Sequence, residues 1–432
     1  MKSTFNLNLE SIRGFAALFV IISHLANSRL AFNPTYNPNA LIVLQPSGHL
    51  SVLLFFILSG YVISVSHKEQ LSSENTLIYL KKRFIRIYPI YCISLIFTLL
   101  IAINPYSLYQ IICNFTLTHV LLSPGFTENS PSWSINYEVL YYLLFIPISF
   151  FNLKPVTILV TAVVLAFTNY YFYPNTETPI ISSYLFGLAF WISGMCLTKY
   201  FKPSDKTVSS NILLSMLFLF LAIDQLVENS GINEFVKGVS ISLFNSHLLY
   251  PKGLYFAKTS ISYKDLALLP YCFYIIMIFA DRTFKHRKLF FVLLQIPLIF
   301  SIGYNTWQYT ALHNRPHFML YLISVFYYGI SLILFFANTE AINSIGKRII
   351  NAGIWLGGIS YALYIIHMPL LYAFGKLPFL HGAGIKYGIK VFLFFTVTIA
   401  ASYVLEKIFQ PWVKGAFFSK SKKLHAVEKT VS

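Results

Sequence analysis

The stretch LESIRGFAALFVIISHLAN, residues 9–27, is long and apolar enough to cross a lipid bilayer as one helix. A helix rises about 1.5 Å per residue, so about 20 residues span the hydrocarbon core. Three ionisable side chains interrupt the stretch: Glu10, Arg13 and His24. Charges are costly inside a membrane, so each of them is a functional candidate. The stretch lacks the small-residue cleavage pattern of a signal peptide, and we interpret it as a retained first transmembrane helix.

The composition of the chain indicates that most of its surface faces lipid. Hydrophobic residues make up 56% and charged residues only 11% of the 432 residues, whereas about a quarter of a soluble protein is charged. Aromatic residues, 18% of the chain, are typical of membrane interfaces. The sequence therefore predicts an all-α polytopic integral membrane protein with about 10–12 transmembrane helices. Twelve segments approach the necessary length: 9–27, 50–66, 88–104, 133–151, 155–173, 181–199, 210–224, 266–282, 289–304, 318–338, 359–375 and 388–409.

The formal net charge of +17 comes largely from short basic clusters between apolar segments. Such clusters mark cytoplasmic loops, so the charge predicts topology and argues against a nucleic-acid partner. We predict that the N-terminus, the C-terminus and the basic tail at about 411–432 are cytoplasmic. The clusters are Lys81 to Arg83, Lys199 to Lys206, Arg282 to Lys288, Lys347-Arg348 and Lys420 to Lys423.

Segment 107–123 determines whether this topology is consistent. If it crossed the membrane, every later basic cluster would lie outside, against the positive-inside bias. If it dips into the membrane or lies on its outer surface, those clusters and the tail remain inside. We therefore predict a re-entrant or interfacial segment, which its polar residues suit when they are buried in protein. Those residues are Asn114, Thr116, Thr118 and His119.

The chain is predicted to be a single membrane domain, 1–432, because no long polar region interrupts it. The longest non-spanning stretch is about 225–265, which we expect on the outer side. The four cysteines are widely separated, so neither a disulfide framework nor a metal site is indicated. No permanently bound cofactor is expected.

The first helix presents its arginine and its histidine on one face. Arg13 and His24 are 11 residues apart, about three turns and about 16 Å along the axis. An imidazole can accept a proton near neutral pH, so His24 is a candidate general base. The alternative is structural: Glu10 and Arg13 form an interfacial ion pair, and His24 bonds a carbonyl.

Two further helices carry candidate residues. In the second, Ser59 and Gly60 would allow close approach of another helix, and we favour this packing role over nucleophilic chemistry because no base is adjacent in sequence. In the third, Arg83 and Arg86 lie on one face and could bind the phosphates of a cytoplasmic coenzyme. The alternative for this pair is a positive-inside anchor.

The remaining candidates lie near the fourth and eleventh helices. Glu138 follows Trp133 and could orient an imidazole or accept a hydroxyl proton, or it could be an acid favoured by the helix dipole. His367 lies in a predicted span, where it is either a functional imidazole or a buried, hydrogen-bonded side chain. The hydroxyl groups of Tyr361 and Tyr364 could support a polar cavity, and Ser360 precedes them as a further supporting residue. Glu406-Lys407 is interpreted as an anchor of the last helix.

In their order along the chain, these pieces resemble the membrane acyltransferase-3 family of bacterial O-acyltransferases. The resemblance covers about residues 5–410. The matching pieces are Leu9 to Ala17 with His24, Phe55 to Tyr61, Arg83-x-x-Arg86-x-Tyr88-Pro89, Trp133-Ser134-x-x-x-Glu138, and Ser360-Tyr361 through His367-x-Pro369. The last-helix motif departs from the family pattern, because Ile408 follows Lys407 and the proline is displaced to Pro411.

The resemblance implies a role for each matched residue. His24 corresponds to the essential histidine, and Arg13 to the arginine of the first helix. Arg83 and Arg86 correspond to the pair that holds the acyl-coenzyme A donor, and Glu138 to an acid near the active cavity. The implied activity is transfer of an acyl group, with acetyl favoured, from cytoplasmic acetyl-CoA to a hydroxyl of a cell-surface saccharide or glycolipid. The implied location is the bacterial cytoplasmic (inner) membrane.

Two other functions compete with acyl transfer. A transporter or flippase for lipid-linked sugars would have broken helices and repeat symmetry, and the sequence has no evident repeat. A membrane glycan ligase would need a large outer loop, for which 225–265 is available, with Glu228, Glu234, His247 and Asp265 as candidates. The ligase alternative does not account for His24 or for the two arginines.

Overall fold

The computed structural model describes residues 6–36, 38, 45–172, 178–205, 207–228, 261–312, 318–337 and 339–417. Most of the 225–265 loop and the tail beyond residue 417 lie outside this range, as do Glu234 and His247. The helices are α1 (Leu7–Asn27), α2 (Arg29–Phe32), α3 (Gly48–Ser66), α4 (Ser73–Ile101), α5 (Leu108–Phe115), α6 (His119–Leu122), α7 (Ser132–Phe150), α8 (Pro155–Phe172), α9 (Ile180–Tyr200), α10 (Ser210–Glu228), α11 (Leu269–Phe279), α12 (Arg287–Leu312), α13 (Phe318–Phe336), α14 (Glu340–Gly357), α15 (Ser360–Gly375) and α16 (Ile385–Tyr403).

Shorter elements connect these helices. A π-helical turn, Val404–Phe409, continues α16, and 3₁₀ turns lie at Thr127–Asn129, Tyr263–Ala267 and Pro378–Leu380. Two short strands, β1 (Lys202–Pro203) and β2 (Arg282–Thr283), pair antiparallel, with Lys202 opposite Thr283.

The prediction of an all-α polytopic membrane protein is confirmed. Within the described ranges, eight helices are long and apolar enough to cross a membrane, or nine if α13 and α14, bent by 118°, form one broken span. A helix coincides with each of the twelve predicted segments. The count falls below twelve partly because α11 has 11 residues and α15 has 16, so each is short for a bilayer.

The chain divides into two compact units. Unit 1 consists of Met1–Asn27, Pro38–Gln70 and Tyr137–Gly357, and unit 2 of Ser28–Asn37, Leu71–Asn136 and Gly358–Ser432.

Glycines bring the helices of unit 1 into close contact, as predicted for Ser59-Gly60. A Cβ atom at Gly60 of α3 would lie 1.8 Å from the Trp191 carbonyl oxygen of α9. In return, a Cβ atom at Gly194 of α9 would lie 2.0 Å from the Ile57 carbonyl oxygen. Only glycine fits at these crossings, and small residues are the usual means by which membrane helices pack closely.

Helix α14 was not predicted, and it lies across one end of unit 1. Gly357 packs on the backbone of Glu10 near the start of α1, and Gly346 packs on Ser210, the first residue of α10. The last residue of α14 and a residue of its second turn therefore contact the N-terminal ends of α1 and α10. The Gly353-x-x-x-Gly357 spacing, a known packing motif of membrane helices, is the sequence signal that could have indicated it.

In unit 2, segment 107–123 enters the helical layer and turns back. Tyr88 donates to the carbonyl of Phe115 at 3.0 Å, and Tyr91 donates to that of Asn114 at 2.9 Å. Tyr88 lies 13 residues before the end of α4, about 20 Å along the axis. The segment returns at Glu128, which accepts from the backbone N–H of Ile103 at 2.9 Å. The segment therefore packs against α4 and turns back, and α5, with 8 residues, is too short to span a bilayer. That the segment dips into the membrane or lies on its outer surface stays a prediction.

We expect Gly60→Ala and Gly194→Ala to destabilise the protein, because each added methyl group would overlap backbone atoms of the facing helix. The expected cost is about 1–3 kcal/mol or more. Thermal unfolding in nanodiscs measures it. Gly303→Ala and Gly329→Ala are the matched controls: a Cβ atom there meets nothing within 4 Å, and alanine is the better helix former. Equal stability of the two pairs would contradict the packing role.

Candidate functional site

The charged residues at the start of α1 form an ion pair. Arg13 Nη1 lies 2.8 Å from Glu10 Oε1, and Glu10 is buried while Arg13 is half-buried. This is the structural alternative anticipated from the sequence. A guanidinium has five N–H donors, so the pair leaves Arg13 able to bind a further group.

His24 is near the other end of α1 and is half-buried. The preceding residue, Ser23, packs against Gly48 at the start of α3, where a Cβ atom would lie 3.0 Å from Ser23 Oγ. The imidazole is thus placed at the end of unit 1 where α1 ends and α3 begins.

Ser59 and Glu138, distant in sequence, belong to one hydrogen-bonded cluster in unit 1. The Ser59 hydroxyl donates to Glu138 Oε1 at 2.9 Å, and Tyr142 donates to the same oxygen. Trp191 Nε1 donates to Ser59 Oγ at 3.2 Å. Glu138 here orients hydroxyl groups.

A second polar cluster in unit 1 contains Asp265, a candidate only for the ligase alternative, and His49 and Asp224, which the sequence did not single out. His49 Nε2 lies 2.9 Å from Asp265 Oδ1, and Asp265 also accepts from the backbone N–H of Ser262 at 2.7 Å. Asp224, near the end of α10, bonds the Ser47 side chain and interacts electrostatically with His49. A carboxylate inside the predicted span 210–224 was the available signal.

The arginine pair lies on α4 in unit 2, and Arg86 is held on two sides. Arg86 Nη1 lies 2.7 Å from Glu406 Oε2, and its guanidinium carbon is 5.5 Å from the centre of the Tyr361 ring. Tyr361 in turn donates to the carbonyl of Ile87 at 2.8 Å. Arg83 lies over the Tyr79 ring at 5.6 Å.

Glu406, interpreted from the sequence as an anchor of the last helix, has specific partners in unit 2. Glu406 is buried on the π-helical turn, where it binds Arg86 and also accepts from the backbone N–H of Ala362 at 3.3 Å. π-turns inside helices are often found at functional sites. Here the turn accompanies the departure from the family motif at Ile408.

The remaining candidates in unit 2 are mostly buried and hydrogen-bonded. His367 is fully buried, and its Nδ1 lies 3.2 Å from the carbonyl oxygen of Leu363, one turn earlier in α15. Ser134 Oγ and the Tyr364 hydroxyl are 2.7 Å apart. Ser360 is buried and Trp133 is half-buried. This arrangement favours the structural alternative for His367.

The later part of segment 107–123 also makes polar contacts. His119 Nε2 lies 3.4 Å from Ser132 Oγ at the start of α7. Between α4 and α5, Tyr106 donates to Glu128, and burial together with this hydrogen bond raises the pKa of the Tyr106 hydroxyl. Among the described residues, no group of three or more His, Cys, Asp or Glu side chains is placed to hold a metal ion.

Comparison with known proteins assigns the chain to a family. The acyltransferase-3 family model, described as an acyltransferase domain, matches residues 6–229, more than half of the chain. The chain belongs to the acyltransferase-3 family. The matched region of this family member contains Arg13, His24, Ser59, Glu138 and the two arginines of α4, whereas α15 and Glu406 lie beyond it.

Two curated relatives are similar over shorter regions. Acyltransferase MdmB of Streptomyces mycarofaciens is 28% identical over 154 residues, 32% of this chain and 38% of the relative. Protein 2 in the picA locus of Rhizobium radiobacter is 37% identical over 90 residues, 20% of this chain and 40% of the relative. The chain therefore spans about two-fifths of the length of these curated relatives. No solved structure matches it significantly.

We expect Arg86 and Glu406 to be energetically coupled. Replacing either one leaves the other without its counter-ion, and the cost is larger when the buried Glu406 carboxylate is the group left behind. Thermal unfolding of Arg86→Gln, Glu406→Gln and the double variant should give a coupling free energy of about 0.5–3 kcal/mol. Additive effects of the two single substitutions would contradict the pairing.

Proposed function

We propose that this acyltransferase-3 family member is a membrane O-acyltransferase that moves acetyl from cytoplasmic acetyl-CoA to a hydroxyl of a cell-surface saccharide. The observation on which this rests is the family-matched first helix, which bears Arg13 and His24. A relative named as an acyltransferase supports the reaction class. The proposed location is the bacterial cytoplasmic membrane, with both termini in the cytoplasm, as the basic clusters predict.

The proposed chemistry centres on His24. The imidazole takes the proton of the acceptor hydroxyl as its oxygen attacks the thioester carbonyl, and coenzyme A leaves as the thiol once it regains a proton. In the covalent variant, the imidazole attacks first and carries the acyl group before the hydroxyl receives it. Arg13 is paired with Glu10 about three turns of α1 before His24, so we propose that it binds an anionic group of the acyl donor and does not act on the carbonyl group at His24.

Arg83 and Arg86 are proposed to bind donor phosphates. The Arg86 side chain is 42% exposed despite its contact with Glu406, so a ligand can reach it. A guanidinium flanked by a carboxylate and an aromatic ring is held in one orientation, which lowers the entropy lost on binding an anion. Glu138 and Ser59 are proposed to keep the polar interior of unit 1 ordered around the reaction.

Membership in an acyltransferase family argues against the transporter and ligase alternatives. Acetyl over longer acyl groups, and a saccharide over a small-molecule acceptor, are parts of the proposal that rest on the family resemblance alone. Incorporation of radiolabelled acetyl into an extracted glycan or glycolipid would distinguish transfer from transport.

We expect His24→Ala to abolish turnover of acetyl-CoA. Loss of a general base lowers the rate by about 10²- to 10⁴-fold, and loss of a covalent carrier lowers it further. The measurement is the rate at which the protein in nanodiscs releases free coenzyme A thiol from acetyl-CoA, with and without a panel of sugar acceptors. His286→Ala is the matched control, because His286 is exposed in a basic cluster. Equal background in wild type and both variants, with folded protein, would argue for the transporter.

We expect Arg83→Gln to weaken donor binding more than it slows a bound donor. A charge-assisted hydrogen bond to phosphate contributes about 1.5–3 kcal/mol, so KM for acetyl-CoA should rise about tenfold or more while kcat changes less. Steady-state kinetics, together with a direct binding measurement, tests this. Loss of activity with unchanged donor affinity would overturn the assignment.

A further inference from the structure

Unit 1 contains a large cavity at the end where α1 begins. Its volume is about 1170 Å³. It is lined by the start of α1, by the ends of α3, α7 and α9, and by residues of the paired strands β1 and β2. None of the residues that the family resemblance singled out as catalytic or donor-binding lines it. A cavity of this size can hold a ligand as large as a nucleotide.

Three cations line this cavity: Lys68, Lys199 and Arg282. Lys68 and Lys199 are exposed, and Arg282 is half-buried. Two acids, Glu69 and Asp281, also line it. The Asp281 carboxylate makes hydrogen bonds within the protein: it accepts from Asn6 Nδ2 at 3.2 Å and from the backbone N–H of Val208 at 3.0 Å.

Arg282 is held in position by its surroundings. Its Nε donates to the Tyr61 hydroxyl at 3.3 Å, and its Nη1 donates to the carbonyl of Phe201 at 2.9 Å. The guanidinium carbon lies 5.7 Å from the centre of the Tyr61 ring. These two bonds use two of the five guanidinium donors, and a fixed planar fork suits a phosphate better than a mobile ammonium does.

The rest of the lining is polar and aromatic. Ser64, His67, Ser149 and Asn152 offer hydrogen-bonding groups, and Phe145 adds an aromatic ring that packs against His67 at 5.7 Å between centres. Gln70, at the end of α3, donates to the carbonyl of Phe150 and so ties two walls together. Cations for phosphate, amides and hydroxyls for a base, and aromatic surface are the groups that bind a nucleotide.

The cavity also lies on the side from which such a ligand would arrive. It is bordered by two of the basic clusters, Lys199 to Lys206 and Arg282 to Lys288, that predict the cytoplasmic side. We propose that this cavity binds the phosphate-bearing nucleotide end of the coenzyme A donor. The inference rests on the proposed function and adds a phosphate site to the one proposed at Arg83 and Arg86, which do not line this cavity. Coenzyme A carries a diphosphate and a separate 3′-phosphate, so the donor has a phosphate group for each site.

Binding of coenzyme A to the full-length protein in phosphatidylcholine nanodiscs tests this inference without requiring turnover. Arg282→Gln should weaken coenzyme A binding about tenfold, and Lys199→Gln about threefold, because charge-assisted hydrogen bonds to phosphate are lost. Lys202→Gln and Arg287→Gln are the matched controls, since these residues carry the same charges in the same clusters but do not line the cavity. Pantetheine, which lacks the phosphates, should bind all five proteins equally.

Thermal unfolding separates ligand binding from folding. Arg282 supports its surroundings, so Arg282→Gln could unfold the region, but Lys199 is exposed at the end of α9 and its variant should melt as wild type does. Unchanged coenzyme A affinity in Lys199→Gln and Arg282→Gln would overturn the inference, as would an equal loss in Lys202→Gln.

Two further outcomes would show that the proposed function fails or that the phosphate bound in the cavity belongs to a lipid headgroup. If wild type binds no coenzyme A at all, the proposed function fails together with the inference. If Arg282→Gln and Lys199→Gln keep their coenzyme A affinity but lose preferential retention of phosphatidylglycerol from mixed nanodiscs, the cavity is a lipid headgroup site and the donor assignment is wrong.

Discussion

Inside the hydrocarbon core of a bilayer there is no water to pair with a polar group, so every such group must find its partner within the protein. The ionisable residues of this chain follow that constraint. Arg13 is paired with Glu10 within α1, and Arg86 with Glu406 within unit 2. The carbonyl groups of Asn114 and Phe115, at the end of the short helix α5, accept hydrogen bonds from Tyr91 and Tyr88 of α4, so the last carbonyls of this helix have partners within unit 2.

Close helix packing is the second requirement, because lipid offers no hydrophobic drive toward helix association. Unit 1 meets it with glycines that let backbones touch, at Gly60 and Gly194 between α3 and α9 and at Gly14, Gly353 and Gly357 between α1 and α14. These contacts hold α1 and α3 in place. The arginine, the histidine and the Ser59–Glu138 cluster are carried on helices that could not shift without backbone overlap.

The two ends of unit 1 differ in chemistry. Where α1 begins, the cavity presents Lys199 and Arg282, which suit a phosphate-bearing ligand. Where α1 ends, Ser23 adjoins α3, and the His49–Asp265 pair offers an imidazole and a carboxylate, which suit hydroxyl groups. Helix α1 joins the two ends. This difference between the two ends agrees with the proposed reaction, in which the acyl donor comes from the cytoplasm and the acceptor saccharide is completed outside the cell membrane.

The sequence by itself determined the all-helical membrane fold and indicated the family, because hydropathy and short motifs are local properties of a chain. It located Arg13, His24 and the arginines of α4, but it could not decide between their alternatives, since ion pairing depends on which helix lies opposite. Only the tertiary structure brought Glu406 to Arg86, Glu138 to Ser59 and Asp265 to His49. Those partners are separated by tens to hundreds of residues, and their pairing follows from helix packing, which no local pattern encodes.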